Sequence, residues 1–470
     1  MDDAGLIDVM AGSGRLESAV LARRLIAVGE LYLRRRRERV EAGRWVIDPW
    51  EEVAAELSAA QGIGRSRAHH QIRVGVALRR DLPQVAAVFA TGTIDFRMVA
   101  TIVRRTELVD DAQILAKIDV VLARRNPRWM KLSGPKLADC IDSWVARFDP
   151  AGVHQQPEAE PTRYVEIAPT AAGMAGVWAQ VHAIDAAALD QRLDQLAATV
   201  CADDPRTKEQ RRADALGALA AGDAALWCGC GSRQCPGTAI KTGLKVVIHV
   251  LAEQSTVTRA GSGPALLAGF GMLPAPLLWD VAASAALRPL VIPEPGLGEP
   301  GYRPSAGLAQ FVRWRDLTCR FPGCDAPAAV CDIDHTIADA IGGPTAASNL
   351  KLLCRKHHLL KTFCAGWSDR QLPDGTVIWT APTGHAYPTY PAGALLFPAL
   401  GQSTGPVRLS PRMQPISGDP TVMMPLRQRT RDQDLRYRIS RQRRDNRARL
   451  DELKRLEEAR LIANDEPPPF

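Results

Sequence analysis

Two short ligand pairs, Cys319-x4-Cys324 and Cys354-x2-His357, stand thirty residues apart in the last third of the chain. Each pair spans about one turn, and one tetrahedral zinc ion would pin the two turns together. The surrounding module, from about Gly307 to Pro391, has a small core. A structural zinc would supply folding free energy that its apolar residues cannot. Cys331 and Cys364 lie nearby as competitors, but only Cys319, Cys324, Cys354 and His357 form two tight pairs.

Compartment bears on this reading, because the chain holds ten cysteines. The segment Met1-Asp2-Asp3-Ala4-Gly5 lacks the charged and apolar regions of a secretory signal. No run approaches the roughly 20 apolar residues of a membrane helix, and the longest, Pro264 to Leu290, is broken by Pro274, Pro276 and Asp280. A cytoplasmic protein without a membrane partner is expected. In a reducing compartment, closely spaced cysteines point to metal ligation rather than disulfides.

At 470 residues, 46% hydrophobic and 24% charged, the chain is long enough for two or three globular domains. Residues 1–154 read as a helical region, with apolar positions recurring through Leu21, Leu25, Val28 and Leu31. Residues 155–300 read as α+β. Arg163 to Ile167 and Gly176 to Val181 form a hairpin, a helix follows from an Asp185 N-cap through Leu196, and Lys245 to Leu251 forms a more buried strand. The cysteine-rich module covers 305–391, a Pro/Gly-rich linker 392–425 and a basic helical tail 426–470. The fold class is α+β, with a small zinc-stabilised module near the carboxyl-terminal end.

Between the ligand pairs stand Asp334-His335, Gly342-Gly343-Pro344 and Asn349, and His358 directly follows the last ligand. Neighbours on a helix point about 100° apart, so His357 can face zinc while His358 faces another site. The frame Asp334-His335, Gly342-Gly343, Asn349-Leu350 and Cys354-x2-His357-His358-x2-Lys361 resembles the zinc-bearing form of the HNH endonucleases. His335, Asn349 and His358 match the residues that name that superfamily. The phrases Arg313-Trp314-Arg315-Asp316, Cys319-Arg320-Phe321-Pro322-Gly323-Cys324 and Cys331-Asp332-Ile333-Asp334-His335-Thr336 resemble the actinobacterial 13E12 repeat family. There, a helical domain of unknown function 222 precedes the HNH module, so residues 1–300 are expected to resemble that domain.

Hydrolysing a phosphodiester needs an activated water and stabilised charge on the phosphoryl and leaving oxygens. His335 is the expected general base, since imidazole titrates near neutrality. Asp334 and His358 would hold one Mg2+ or Mn2+ ion. The resemblance implies that Asn349 orients the base or its loop, or joins the metal shell. It also implies that the strand ends at His335, because neighbouring residues in a regular strand point to opposite faces. Lys361 is a phosphate contact or a solvated lysine.

Weaker signals remain. Cys228-x-Cys230-x4-Cys235 offers three ligands for a second zinc, with His249 a remote fourth. Glu56 to Gly64 followed by Arg65 to Ile72 has the rhythm of a helix-turn-helix, in which Arg65, Arg67, His69, Gln71 and Arg73 would meet DNA, or of an ordinary helical hairpin. Arg34 to Arg37 with Arg39 would bind phosphate or complement a helix end. The net charge is +7, and the tail from Arg427 to Arg460 is expected to contact nucleic acid, to dock as an amphipathic helix, or to stay solvated. The expected function is hydrolysis of double-stranded DNA, by a nickase or a part of a mobile element. A DNA-binding or protein-interaction scaffold that retains the zinc fold is the alternative.

Overall fold

The apolar ladder of Leu21, Leu25, Val28 and Leu31 lies on one helix, α1 (Asp3–Ala42), which begins well before Leu16. The structure, a computed structural model, describes all residues except 43–46, 155–162, 233, 236–247, 284, 365, 410–430 and 466–470. It has two compact units: residues 1–155 with 290–470, and residues 156–289. The first unit thus joins the helical region to the cysteine-rich module, and the second spans residues 156–289 where 155–300 was expected. The chain is α+β.

After α1 come α2 (Pro49–Gln61), α3 (Arg65–Val76), α4 (Pro83–Ala90), α5 (Phe96–Thr106), α6 (Ala112–Trp129) and α7 (Gly134–Phe148). Asp48, Asp95 and Asp111 start α2, α5 and α6 by accepting bonds from otherwise unpaired first-turn N–H groups. Helix α1 crosses α3 where Gly29 meets Gly75. A Cβ on Gly29 would lie 2.2 Å from the Gly75 carbonyl oxygen, so the crossing needs glycine on both sides. Leu25, Phe89, Met98, Ile102, Leu122 and Ile141 fill the larger core beneath α1.

Helices α2 and α3 form a helical hairpin, on which Arg67 and Arg73 are exposed. Arg65 and His69 both engage Glu51, and Gln71 is buried against Gln61. The arginine run of α1 is also largely used within the fold. Arg34 pairs with Glu30, Arg35 with Glu38 and Glu56, Arg36 with Asp432 and Arg39 with Glu52.

In the second unit, β1 (Tyr164–Ala171) pairs antiparallel with β2 (Met174–Gln180), as the alternation predicts. Helix α8 (Ala183–Ala197) starts after His182, which places Asp185 in its first turn and not at the cap. Helix α9 (Lys208–Ala221) opens with a reciprocal Thr207–Gln210 capping box. The predicted 245–251 strand is reduced to β3 (Val250–Leu251), which is half-buried; residues 245–247 lie outside the described residues. After α10 (Gln254–Val257), β3 pairs with β4 (Ala265–Leu267), which pairs with β5 (Gly271–Leu273), and α11 (Ala275–Ala282) follows. The predicted linker from Gln155 to Pro161 lies outside the described residues.

The module consists of α12 (Ala306–Asp316), the antiparallel pair β6 (Cys331–His335) and β7 (Leu350–Cys354), α13 (Arg355–Phe363), the sheet of β8 (Ser368–Gln371), β9 (Val377–Thr380) and β10 (Ala386–Thr389), and α14 (Ala392–Leu396). Within its family-like phrases Arg315, Asp316 and Arg320 are buried scaffold. Asp316 accepts from Arg315, Arg320 and the Leu352 backbone N–H, while Arg315 donates to the Ala347 and Leu350 carbonyls at 2.7 and 2.6 Å. The two guanidiniums outweigh the effect of burial and hold the Asp316 carboxyl below its usual range. Gly323 sits against the end of α2, where a Cβ would come within 2.7 Å of the Ser58 and Ile63 carbonyl oxygens.

The tail is a helix, α15 (Arg431–Asp465), docked on the helical region along its first half. Arg443 is buried there, with Nη1 2.6 Å from Asp149 Oδ2 and from the Leu108 carbonyl, and Asn446 donates to the Ala151 and Val153 carbonyls. The first residues of the tail, including Arg427, lie outside the described residues. Removing one member of a buried pair strands the other, at a cost of about 3–5 kcal/mol. Arg443→Met should therefore destabilise the chain by about that amount in equilibrium urea unfolding. A loss under about 1 kcal/mol would mean that the pair contributes no more than a surface ion pair does.

Candidate metal centre and histidine site

Cys319 and Cys324 lie on the turn after α12, and Cys354 and His357 span the junction of β7 with α13. The four ligand atoms lie within 4.8 Å of one another. His357 turns Nδ1 inward, 3.4 Å from Cys319 Sγ and 3.3 Å from Cys354 Sγ. Phe321 stacks on the imidazole at 4.0 Å and packs edge-on against Trp367 and Trp379. This donor set, soft thiolates with one imidazole, could hold a metal ion such as zinc. Of the competing cysteines, Cys331 borders the cluster, paired with Cys354 across the strands and with its Sγ 3.5 Å from the Ala326 carbonyl, while burial pushes the Cys364 thiol up to about 12.

Strand β6 ends at His335, as required for Asp334 and His335 to serve neighbouring sites. His335 is mostly buried under the ring of Tyr302, which stacks on it at 5.2 Å. Its Nε2 lies 3.0 Å from Thr345 Oγ1, whose single proton is directed to the Gly301 carbonyl at 2.6 Å. The hydroxyl must therefore accept from an Nε2–H, which leaves Nδ1 with its lone pair. Burial lowers the His335 pKa from the ordinary imidazole value, which favours this neutral form.

The loop that carries Thr345 is fixed by Asn349, which is fully buried. Its Oδ1 accepts from the Ile337 N–H at 2.8 Å, and its Nδ2 donates to the Ile337 and Pro344 carbonyls at 2.9 Å. With these bonds Asn349 positions the loop around the histidine. Gly343 completes the loop. A Cβ there would meet the Ile337 carbonyl oxygen at 1.9 Å.

On the other face of β6, Asp332 and Asp334 are two residues apart and both reach His358 on α13. Asp332 Oδ2 lies 3.2 Å from His358 Nδ1, and Asp334 Oδ1 lies 3.5 Å from His358 Nε2. Asp334 Oδ2 accepts from both Lys351 and Lys361 at 2.7 Å, and both lysines also pair with Asp369. Burial opposes ionisation of Asp334, but the two ammonium groups outweigh it and hold its carboxyl low. Lys361 additionally donates to the His335 carbonyl at 2.5 Å. That corrects the phosphate-contact reading: the Lys361 ammonium is turned inward and its donors are taken by protein oxygens.

Thr345, Tyr302, Asp332, Lys351 and Asp369 were missed from sequence. Asp332 alone had a local signal, since it stands two residues before Asp334 on the same strand face. A second group, Cys201, Cys228, Cys230 and Cys235, also brings its ligand atoms within 4.8 Å; His249 is exposed and has no place in it. No described helix is long and apolar enough to cross a membrane.

A family model described as a domain of unknown function, DUF222, matches residues 13–316. Uncharacterized protein Rv3776 of Mycobacterium tuberculosis is 45% identical, over 94% of this chain and 90% of its own length. Uncharacterized protein Rv2100 of the same organism is 43% identical, over 100% of this chain and 90% of its own. No solved structure matches the chain.

Proposed function

We propose that this chain, which belongs to the DUF222 family, is a metal-dependent endonuclease of the HNH type that hydrolyses phosphodiester bonds in double-stranded DNA. The observation that carries the reading is the pair of histidines at the β6 end. One ring nitrogen of each is held by a neighbouring side chain. Thr345 fixes His335 and leaves Nδ1 as a base; Asp332 fixes His358 and turns Nε2 toward Asp334.

His358 Nε2 and Asp334 Oδ1 lie 3.5 Å apart, so one cation can be ligated by both. Asp334 and His358 therefore fit a divalent ion, and a mixed nitrogen and oxygen set favours manganese over magnesium. Such an ion would polarise the phosphoryl oxygen and neutralise the leaving oxygen. His335 Nδ1 accepts the proton of the attacking water. Asn349 holds the loop that keeps Thr345 on His335, and Lys351 and Lys361 fix the rotamer of Asp334. Cys319, Cys324, Cys354 and His357 hold a structural zinc that sets α13 against β6. Arg436, Arg438, Arg441, Arg444 and Arg447 are exposed along α15 and provide positive charge for a phosphate backbone.

The alternative is a non-catalytic binding scaffold. It draws support from the closed charge balance of Asp334 and Asp369 with Lys351 and Lys361. Incubating the purified full chain with supercoiled plasmid and Mn2+ or Mg2+, beside a chelator control, separates the two. Nicking that requires the metal supports the nuclease; retained plasmid binding with no nicking under either metal supports the scaffold.

A further inference from the structure

We infer that the second unit holds a structural zinc ion of its own, bound by four thiolates from Cys201, Cys228, Cys230 and Cys235. Cys201 lies on the loop after α8, and the other three lie on the segment after α9. Sequence spacing gives only three of these ligands, and the fold brings in the fourth from 27 residues away. All four Sγ atoms lie within 4.8 Å of one another. In a regular tetrahedron with zinc–sulfur bonds of about 2.3 Å, sulfur atoms are about 3.8 Å apart. Cys201 Sγ and Cys228 Sγ stand at 3.5 Å, close to that edge and far beyond the roughly 2.05 Å of a disulfide.

The loops are held in register without the thiols. Asp204 is buried and accepts from the Gly229 N–H at 2.8 Å, between Cys228 and Cys230, while Arg206 clamps both oxygens of the same carboxylate. Thr199 Oγ1 accepts from the Leu226 N–H at 2.8 Å. What this region lacks is apolar mass. Its core is Leu196, Ala215, Ala218 and Leu226 with three half-buried neighbours, too few to fix a helical hairpin and a long loop. Four thiols gathered at the open end of that core supply the cross-link that the packing lacks.

The test uses the full chain purified under reducing conditions, with zinc measured per chain and with Co2+ substituted as an optical probe. Two zinc equivalents are expected in the wild type, and one in the double variant Cys228→Ser, Cys235→Ser. Sulfur-to-cobalt charge-transfer absorption should fall from the level of seven thiolates to that of three. Because the double variant could unfold the unit, Cys230→His serves as the second variant. It should keep two equivalents, with the cobalt bands shifted to higher energy by the nitrogen ligand. One equivalent in the wild type would overturn the inference. So would rapid alkylation of these four thiols in the zinc-loaded native chain, a disulfide among them, or iron in place of zinc.

Discussion

His335→Ala should lower the metal-stimulated nicking rate by about 10²–10⁴-fold, the usual contribution of a positioned general base, while leaving plasmid affinity nearly unchanged. The imidazole is held by Thr345 and covered by Tyr302, and in the proposed reaction its Nδ1 takes a proton from water and binds no ground-state phosphate. Its loss therefore acts on the transition state. The check is nicking under single-turnover conditions together with a binding isotherm on the same plasmid. A rate that stays near wild type eliminates His335 as the base, and a parallel loss of affinity shows that it binds substrate instead. Thr345→Val gives a finer reading. It removes the acceptor that fixes the ring, so the rate should fall by a smaller factor with the binding isotherm again unmoved.

Cys354→Ala should release the zinc of the first cluster and unfold the module from about Gly307 to Pro391. Apparent zinc-binding free energies at structural sites are about 10–16 kcal/mol at pH 7, more than a domain's whole stability. Cys354 lies at the hinge of β7 with α13, so its loss frees the helix that carries His358. Zinc content should drop by one equivalent, and limited proteolysis should cut within the module while the helical core around Leu25 and Phe89 persists. A variant that keeps its zinc content and its protease resistance would show that Cys354 is not a ligand.

The residues legible in sequence are those whose meaning is carried by short-range spacing. The Cys319 and Cys354 pairs, the Gly342-Gly343 turn and the β1–β2 hairpin depend on neighbours a few positions away, and the fold places them as read. Asn349 was legible only through the HNH resemblance, which implied that it orients the base or its loop or joins the metal shell; the fold bonds it to that loop. What escaped depends on long-range contact. Lys351 and Asp369 read as ordinary charged residues on strands and become a buried quartet only when α13 packs on β6. Cys201 is separated from its companions by a whole helix. The tail shows the same limit in reverse. Its charge pattern suggested phosphate, yet Arg443 is buried against Asp149, 294 residues away, because charge alone does not say which anion it meets.

That pairing across the chain governs the order in which the molecule can be made. The first unit is assembled from residues 1–155 and 290–470, with the second unit entered and left between them. During synthesis the amino-terminal helices leave the ribosome first and can bury their own core, but Asp149 has no counter-charge until α15 emerges. The module that bears His335 also stays without its seat for Gly323 until it can close back on α2. Premature chain termination anywhere before Arg443 therefore leaves a carboxylate uncompensated in the earliest-made part of the protein.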